Sequence, residues 1–172
     1  STSPDFGTSS VVDRISQIEP KVLISVESYQ YNNKSFDKTP AIKEIIERIP
    51  DLETLIVVGK SQTVFKNIKQ LSWEVCLANR SAELQLRRVP FNHPIWVLYS
   101  SGTTGIPKAI TQSCGGILLE HLKYLHLHNN VKPGDRCFWY TTIGWMMWNY
   151  IQASLLAGGT VVLYDGSLAF PD

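Results

Sequence analysis

Apolar positions along the chain change period several times, and each change predicts a change of element. In SSVVDRISQIEP, residues 9–20, Val11, Ile15 and Ile18 recur at helical spacing behind a serine suited to cap a helix, and Pro20 marks its end. KVLISV, residues 21–26, is a short continuous apolar run of the kind that forms a buried strand. TPAIKEIIERIP, residues 39–50, returns to the helical period with Ile42, Ile45, Ile46 and Ile49 on one side, and TLIVVG, residues 54–59, reads as the next strand. Strand, helix and strand in that order form a βαβ pattern.

Residues 59–94 mix charge and apolar residues without a clean period, which predicts a connecting excursion with one short helix. The alternation resumes with the strand IWVLY, residues 95–99, a Ser/Gly/Thr loop, and a helix over GGILLEHLKYLHLHNN, residues 115–130, with Leu118, Leu122 and Leu125 along one face. A turn at KPGD leads to the strand RCFWY, an aromatic loop, the helix WMMWNYIQASLLAG and the strand TVVLYDG beyond Gly158-Gly159. The fold class is therefore α/β, a mainly parallel sheet flanked by helices. The pattern opens on a loop with no strand before the first helix and stops just after a strand, so the chain reads as an excerpt of something longer. Its first residue is not Met, which leaves room for a preceding segment.

Composition narrows the partners. Among 172 residues, 16 basic and 15 acidic side chains leave a formal charge of +1, which lacks the electrostatic footprint of a nucleic-acid or anionic-membrane binder. A small molecule is the expected partner, and no protein partner can be inferred. Cys76, Cys114 and Cys137 are odd in number and far apart, which fits neither a disulfide framework nor a metal motif and points to a reducing compartment, the cytosol. No apolar run approaches the ~18 residues of a membrane span.

The candidate chemistry lies in WVLYSSGTTGIPKAI, residues 96–110. A loop at the carboxyl end of a strand is where open α/β sheets bind ligands. Gly102 and Gly105 expose backbone N–H groups, Ser100, Ser101, Thr103 and Thr104 offer hydroxyls, and Lys108 adds a full positive charge behind Pro107. Such a loop suits a polyphosphate. Its order is neither a Walker A loop nor a dinucleotide fingerprint.

YSSGTTGIPKAI resembles the phosphate-binding signature of the adenylate-forming superfamily, which includes acyl-CoA synthetases, luciferases and peptide-synthetase adenylation domains. With SPDFG, ISQIEPKVLISVE, FNHPIWVLYSSGTTG, GGILLEHLK, TTIGWMMWNY and VLYDGS, nearly the whole chain resembles the acetoacetyl-CoA synthetase group of that superfamily. The resemblance implies that residues 1–172 are part of a large amino-terminal domain, without the carboxyl-terminal domain. It also implies an AMP-forming ligase of lipid and ketone body metabolism whose substrates are ATP, acetoacetate and coenzyme A, with Mg²⁺ as cofactor. By the same resemblance Ser100, Ser101, Gly102, Thr103, Thr104, Gly105 and Lys108 hold the ATP phosphates, Lys108 is catalytic, and Thr104 lies near Mg²⁺. Another short-chain acyl-CoA synthetase or adenylating enzyme, or a non-catalytic nucleotide-binding relative, remains as an alternative.

TTIGWMMWNYIQ is either an aromatic core segment or a ligand pocket by composition alone. The resemblance assigns Gly144, Trp145 and Trp148 to the acyl pocket, with Trp145 near the substrate carboxylate. Thr142 and Trp148 follow the acetoacetyl-CoA synthetase pattern rather than that of the acetate-activating enzymes. On a continuous helix His121 and His128 share a face and His126 does not, so the three do not converge on a metal and are expected to be solvated or at a helix end. Cys114 reads as a small semi-buried residue, and Asp135 and Asp165 as turn residues.

Overall fold

A computed structural model describes residues 1–78, 83–100, 105–164 and 166–167. They divide into two compact units, one built on Pro4–Leu86 with residues 105–107, the other on residues 87–100 and 108–164 with residues 1–3.

In the first unit, α1 (Thr8–Ile15) runs on into a short 3₁₀ turn at Ser16–Ile18. It is followed by β1 (Val22–Val26), the hairpin of β2 (Ser28–Tyr31) and β3 (Lys34–Asp37), α2 (Thr39–Arg48), β4 (Thr54–Val58), β5 (Lys69–Ser72) and α3 (Trp73–Leu77). The sheet order is β1-β4-β5, parallel throughout, with Leu23 opposite Leu55 and Ile56 opposite Leu71. The βαβ reading holds, with the short antiparallel hairpin inserted before α2. Asn32 and Asn33 take left-handed φ values of 48° and 56°, the pair of conformations a two-residue hairpin turn requires. Tyr29 and Phe36 stack across the hairpin at 5.1 Å.

The isoleucine stripe of α2 divides its burial between two clusters. Ile42 packs with Leu55, Val57 and Phe65 of the sheet side, and Ile46 lies against the same cluster. Ile45 and Ile49 pack with Val11, Val12 and Leu52, which ties α2 to α1. β1 departs from the expected buried strand: Val22 and Ile24 are each more than half exposed, while Leu23 points into both clusters. One face of β1 is therefore covered by helices and the other is open among the described residues, so the strand alternates. The excursion after β4 contains the expected short helix, α3, capped by the Ser72 hydroxyl accepting from the Val75 N–H at 3.2 Å, and also β5.

Its loop is organised by Glu27. That carboxylate accepts from the Ser61 hydroxyl at 2.7 Å and the backbone N–H groups of Gln62 and Thr63 at 3.0 and 3.2 Å. Partial burial pushes the Glu27 carboxyl up, but the Ser61 hydroxyl and the two backbone donors together outweigh it and leave the group below its ordinary value.

In the second unit, β6 (Pro94–Ser100) pairs antiparallel with β7 (Lys108–Ser113). This corrects the expectation of a parallel neighbour for IWVLY: KAITQS gives it an immediate antiparallel one, a polar strand with too little apolar content to announce itself. α4 (Cys114–Lys123) starts at once from β7, its first turn capped by the Ser113 hydroxyl, which accepts from Gly116 N–H at 3.2 Å. A β-carbon on Gly115 would fall 2.1 Å from the Phe91 ring, so only glycine lets that ring close over the helix start. The helix widens into a π-helical turn at Tyr124–His128.

β8 (Arg136–Cys137) pairs parallel with β9 (Thr160–Val161), and α5 (Met146–Gln152) with its 3₁₀ extension Ala153–Ala157 connects them. Both strands are shorter than RCFWY and TVVLYDG predict: the ladder ends at Cys137 and Val161, with one further hydrogen bond from Val162 N–H to the Cys137 carbonyl at 2.8 Å. Leu125, Val131, Ala153 and Ala157 form the buried centre, so of the expected leucine face Leu125 is core and Leu118 is 40% exposed. Asp135 is the turn residue expected, its carboxylate accepting from Lys132 N–H at 2.8 Å. Asp165 lies outside the described residues.

Leu55 is fully buried on the central strand of the first sheet. Leu55→Ala is expected to cost about 2–5 kcal/mol in urea unfolding. Leu84→Ala, at a position 86% exposed, should stay within about 0.5 kcal/mol.

Candidate active site

The candidate phosphate loop is the connection of the β6–β7 hairpin. Ser100 ends β6 and Lys108 begins β7, and the two are direct cross-strand partners. The ladder thus fixes both ends of the loop. Ser100 is half-buried and Lys108 is exposed, with no ion pair to Lys108 among the described residues. Its ammonium is available to an anion. Ser101, Gly102, Thr103 and Thr104 lie outside the described residues.

Gly105 has φ 140°, a conformation other residues rarely take, and a β-carbon there would meet nothing within 4 Å. Its requirement for glycine is conformational rather than steric. In the first unit the Pro107 carbonyl accepts from Gln17 Nε2 at 2.8 Å, and the same amide donates to the Asp13 carbonyl at 2.7 Å. Within that unit the Pro107 carbonyl is therefore held against the residues that follow α1.

Gly144, Trp145 and Trp148 stand together at the entry to α5. Trp145 is the residue before the helix, with extended φ −111° and ψ 149°. Its N–H donates to the Thr142 carbonyl at 3.1 Å, and the Trp148 N–H donates to the Trp145 carbonyl at 3.0 Å. The turn leaves Trp145 66% exposed, whereas Trp148 is half-buried. Ser100 and Lys108 lie on the hairpin and the aromatic turn on the β8–α5 connection. No hydrogen bond, ion pair or ring contact among the described residues joins the two groups directly.

What joins them is a row of aromatic rings that sequence reasoning missed. Trp96 of β6 lies 5.8 Å from His121 of α4, and His121 meets Tyr150 of α5 edge-on at 5.9 Å. Tyr150 also packs edge-on against Tyr124 at 5.6 Å and accepts a hydrogen bond from Asn129 Nδ2. On the strand, Trp96 Nε1 donates to Gln112 of β7. Of the two placements expected for the histidines, solvated or at a helix end, His121 takes the second: it lies in the last turn of α4 and is buried there, between the hairpin and α5. Burial pushes its imidazole below the ordinary 6.5, outweighing the nearby Glu120 carboxylate. Its only signal in the sequence is a single ionisable residue bordering the leucine row of α4.

The other two histidines are placed separately. His126 Nδ1 lies 3.2 Å from the Val131 carbonyl, and the His128 ring lies tilted against Tyr124 at 5.0 Å. Among the described residues no three His, Cys, Asp or Glu side chains gather to hold a metal ion. No helix of the described residues is long and apolar enough to cross a membrane.

The strands β6 and β7, with the exposed Lys108 at the start of β7, lie in the same unit as the exposed tryptophan turn. The sequence model for AMP-binding enzymes matches residues 2–172. The chain belongs to the AMP-binding enzyme family. It is 42% identical to acetoacetyl-CoA synthetase of Danio rerio over 99% of this chain and 27% of that protein. It is 41% identical to acetoacetyl-coenzyme A synthetase of Rhizobium meliloti (strain 1021), over 100% of this chain and 27% of the relative. Among solved structures, acetoacetyl-CoA synthetase from Streptomyces lividans is similar with a TM-score of 0.89 and 52% identity, covering 98% of this chain and 26% of that one. This AMP-binding family member thus spans about a quarter of the length of the curated relatives it matches.

Because the folded state holds His121 neutral, protonation favours the unfolded chain. The stability His121 contributes is present in full above about pH 6.5 and is lost as pH falls through that value towards the lowered folded-state one. Urea midpoints measured from pH 7.5 to 5 should fall with pH, and His121→Phe should flatten that fall.

Proposed function

We propose that this chain supplies the phosphate-gripping and acid-facing parts of an AMP-forming acid–thiol ligase that converts acetoacetate, ATP and coenzyme A to acetoacetyl-CoA. Residues 1–172 then belong to the large amino-terminal domain of a protein of its relatives' length, working in the cytosol on ketone bodies destined for lipid metabolism. The observation that carries this reading is the pairing of Ser100 with Lys108 across the mouth of the glycine and hydroxyl loop. The similarity to acetoacetyl-CoA synthetases along the whole chain supports the choice of acid.

In the first step an acetoacetate carboxylate oxygen attacks the α-phosphorus of ATP, the bond to the bridging oxygen breaks, and pyrophosphate leaves with the electron pair. In the second, the coenzyme A sulfur attacks the acyl carbon, AMP departs as the carboxylate–phosphate mixed anhydride is cleaved, and the thiol proton is released. Charge grows on the departing pyrophosphate, so a preorganised positive group and aligned N–H donors lower the barrier. Lys108 is the catalytic cation in this reading. Ser100, Ser101, Gly102, Thr103, Thr104 and Gly105 hold the ATP phosphates with hydroxyls and amides.

The donor set around the loop contains hydroxyls and no gathered carboxylates among the described residues, which fits Mg²⁺ carried in on phosphate oxygens better than an ion caged by protein. When bound, the ion neutralises phosphate charge, and Thr104 is the residue proposed to lie nearest it. Trp145, exposed beside Gly144 at the entry to α5, faces the acid, and Trp148 limits the space for its acyl end.

In the intact ligase, Lys108→Ala is expected to slow pyrophosphate–ATP exchange with acetoacetate by about 10²–10³-fold, the usual worth of one transition-state donor, with little change in acetoacetate binding. Unchanged exchange would remove Lys108 from the chemistry. On the same protein acetoacetate should give a higher kcat/KM than acetate or butyrate; equal values would favour another short-chain acyl-CoA synthetase.

A further inference from the structure

One face of the β6–β7 hairpin carries both the lysine of the phosphate loop and a tryptophan. In the regular part of the register Trp96, Leu98 and Ser100 alternate to the same side, and each shares that side with its cross-strand partner, Gln112, Ile110 and Lys108. Trp96 thus starts a row of rings on the Lys108 face, about 13 Å along the strand from Ser100. Its ring is fixed by Nε1 donating to Gln112. His121, in the last turn of α4, lies 5.8 Å from that ring and meets Tyr150 edge-on at 5.9 Å.

Tyr150 is fixed at the other end of the row. Its ring packs edge-on against Tyr124 at 5.6 Å, and its oxygen accepts from Asn129 Nδ2. It belongs to α5, and Trp145 is the residue that precedes that helix. The helix rises about 7.5 Å between the two, so a rotation of roughly 8° at Tyr150 displaces the Trp145 turn by about 1 Å. Among the described residues His121 is the ring that contacts both Trp96 and Tyr150. It stands outside the buried cluster of Leu125, Val131, Ala153 and Ala157 that forms the centre of this unit. Substituting it therefore leaves that centre in place and alters the angle of the joint first.

We propose that His121 is a positioning residue for the ligase reaction: its ring sets the angle between α5 and the Lys108 face of the hairpin, and so aligns an acid held at Gly144-Trp145 with phosphates held at Ser100 and Lys108. This role rests on the ligase function proposed for the chain. The acid-facing turn moves with α5 and the phosphate grip with the hairpin, so each keeps its own ligand when the joint slackens. What suffers is the alignment of the attacking carboxylate oxygen with the α-phosphorus, which is felt in kcat rather than in substrate binding.

In the intact ligase, His121→Leu keeps apolar volume without a ring, and His121→Phe keeps the ring. Acetoacetate-dependent pyrophosphate–ATP exchange, expressed per folded protein from circular dichroism, should lose about 10- to 10²-fold in kcat in His121→Leu, the cost of a displacement of up to about 1 Å. KM for acetoacetate and for ATP should change little, and His121→Phe should recover most of the loss. Tyr150→Leu cuts the same row from the side of α5 and should lower kcat alike, with little further loss when combined with His121→Leu. Parent kcat in His121→Leu, a loss carried by KM, or His121→Phe as slow as His121→Leu would each overturn the proposal. A parent ligase that gives no exchange with acetoacetate would instead overturn the proposed activity, and the role of His121 with it.

Discussion

The candidate site depends on a neutral imidazole held out of water. Among the described residues, His121 is the side chain that touches both Trp96 on the hairpin and Tyr150 on α5 in the row of ring contacts. Through it the strand whose neighbour begins with Lys108 is tied to the helix that begins beyond Trp145. A leucine at 121 would fill volume, but its contacts have no preferred angle. Aromatic and imidazole rings meeting edge-on or tilted have directional quadrupole and C–H contacts, so the relative rotation of α4 and α5 is constrained as well as their separation. Charging the ring would strain this joint first, since the wall around it is aromatic and the carboxylate that acts on it, Glu120, sits on the same helix.

Helices and the central strands are legible in the sequence because their burial has one dominant direction. The α2 stripe of Ile42, Ile45, Ile46 and Ile49 announces itself by period, and TLIVV by an unbroken apolar run. Local periodicity does not report partners, so it cannot divide the α2 stripe between two clusters or reveal that β1 has an open face. The β2–β3 hairpin is signalled only by Asn32-Asn33, a turn cue without strong apolar strands beside it. β7 carries Thr111 and Gln112 in place of an apolar pattern, and its pairing comes from the closeness of β6 rather than from its own composition.

The site is legible to a different degree. The phosphate loop is contiguous, and its requirement for glycines, hydroxyls and a lysine in order is written in one stretch. Its anchors are not: the Pro107–Gln17 hydrogen bond and the Trp96–His121–Tyr150 row join residues far apart in sequence. The burial of His121 at the end of α4 is hidden for the same reason. An ionisable residue beside a leucine row has two possible faces, and only the tertiary neighbours decide which one it takes.

The hairpin that carries the loop pairs Pro94 with Ser113 at its base and Ser100 with Lys108 at its mouth. All of its backbone pairing is short-range along the chain, unlike the β1–β4 ladder, whose partners are separated by the inserted hairpin and the whole of α2. Closing a short loop costs little chain entropy, and contacts of low sequence separation form early in folding. The pairing of β6 with β7 therefore asks for less loop closure than the β1–β4 ladder does. The backbone frame of the β6–β7 hairpin is thus local in sequence, whereas the turn at Gly144-Trp145 sits on a connection whose two strands, β8 and β9, are joined through the whole of α5.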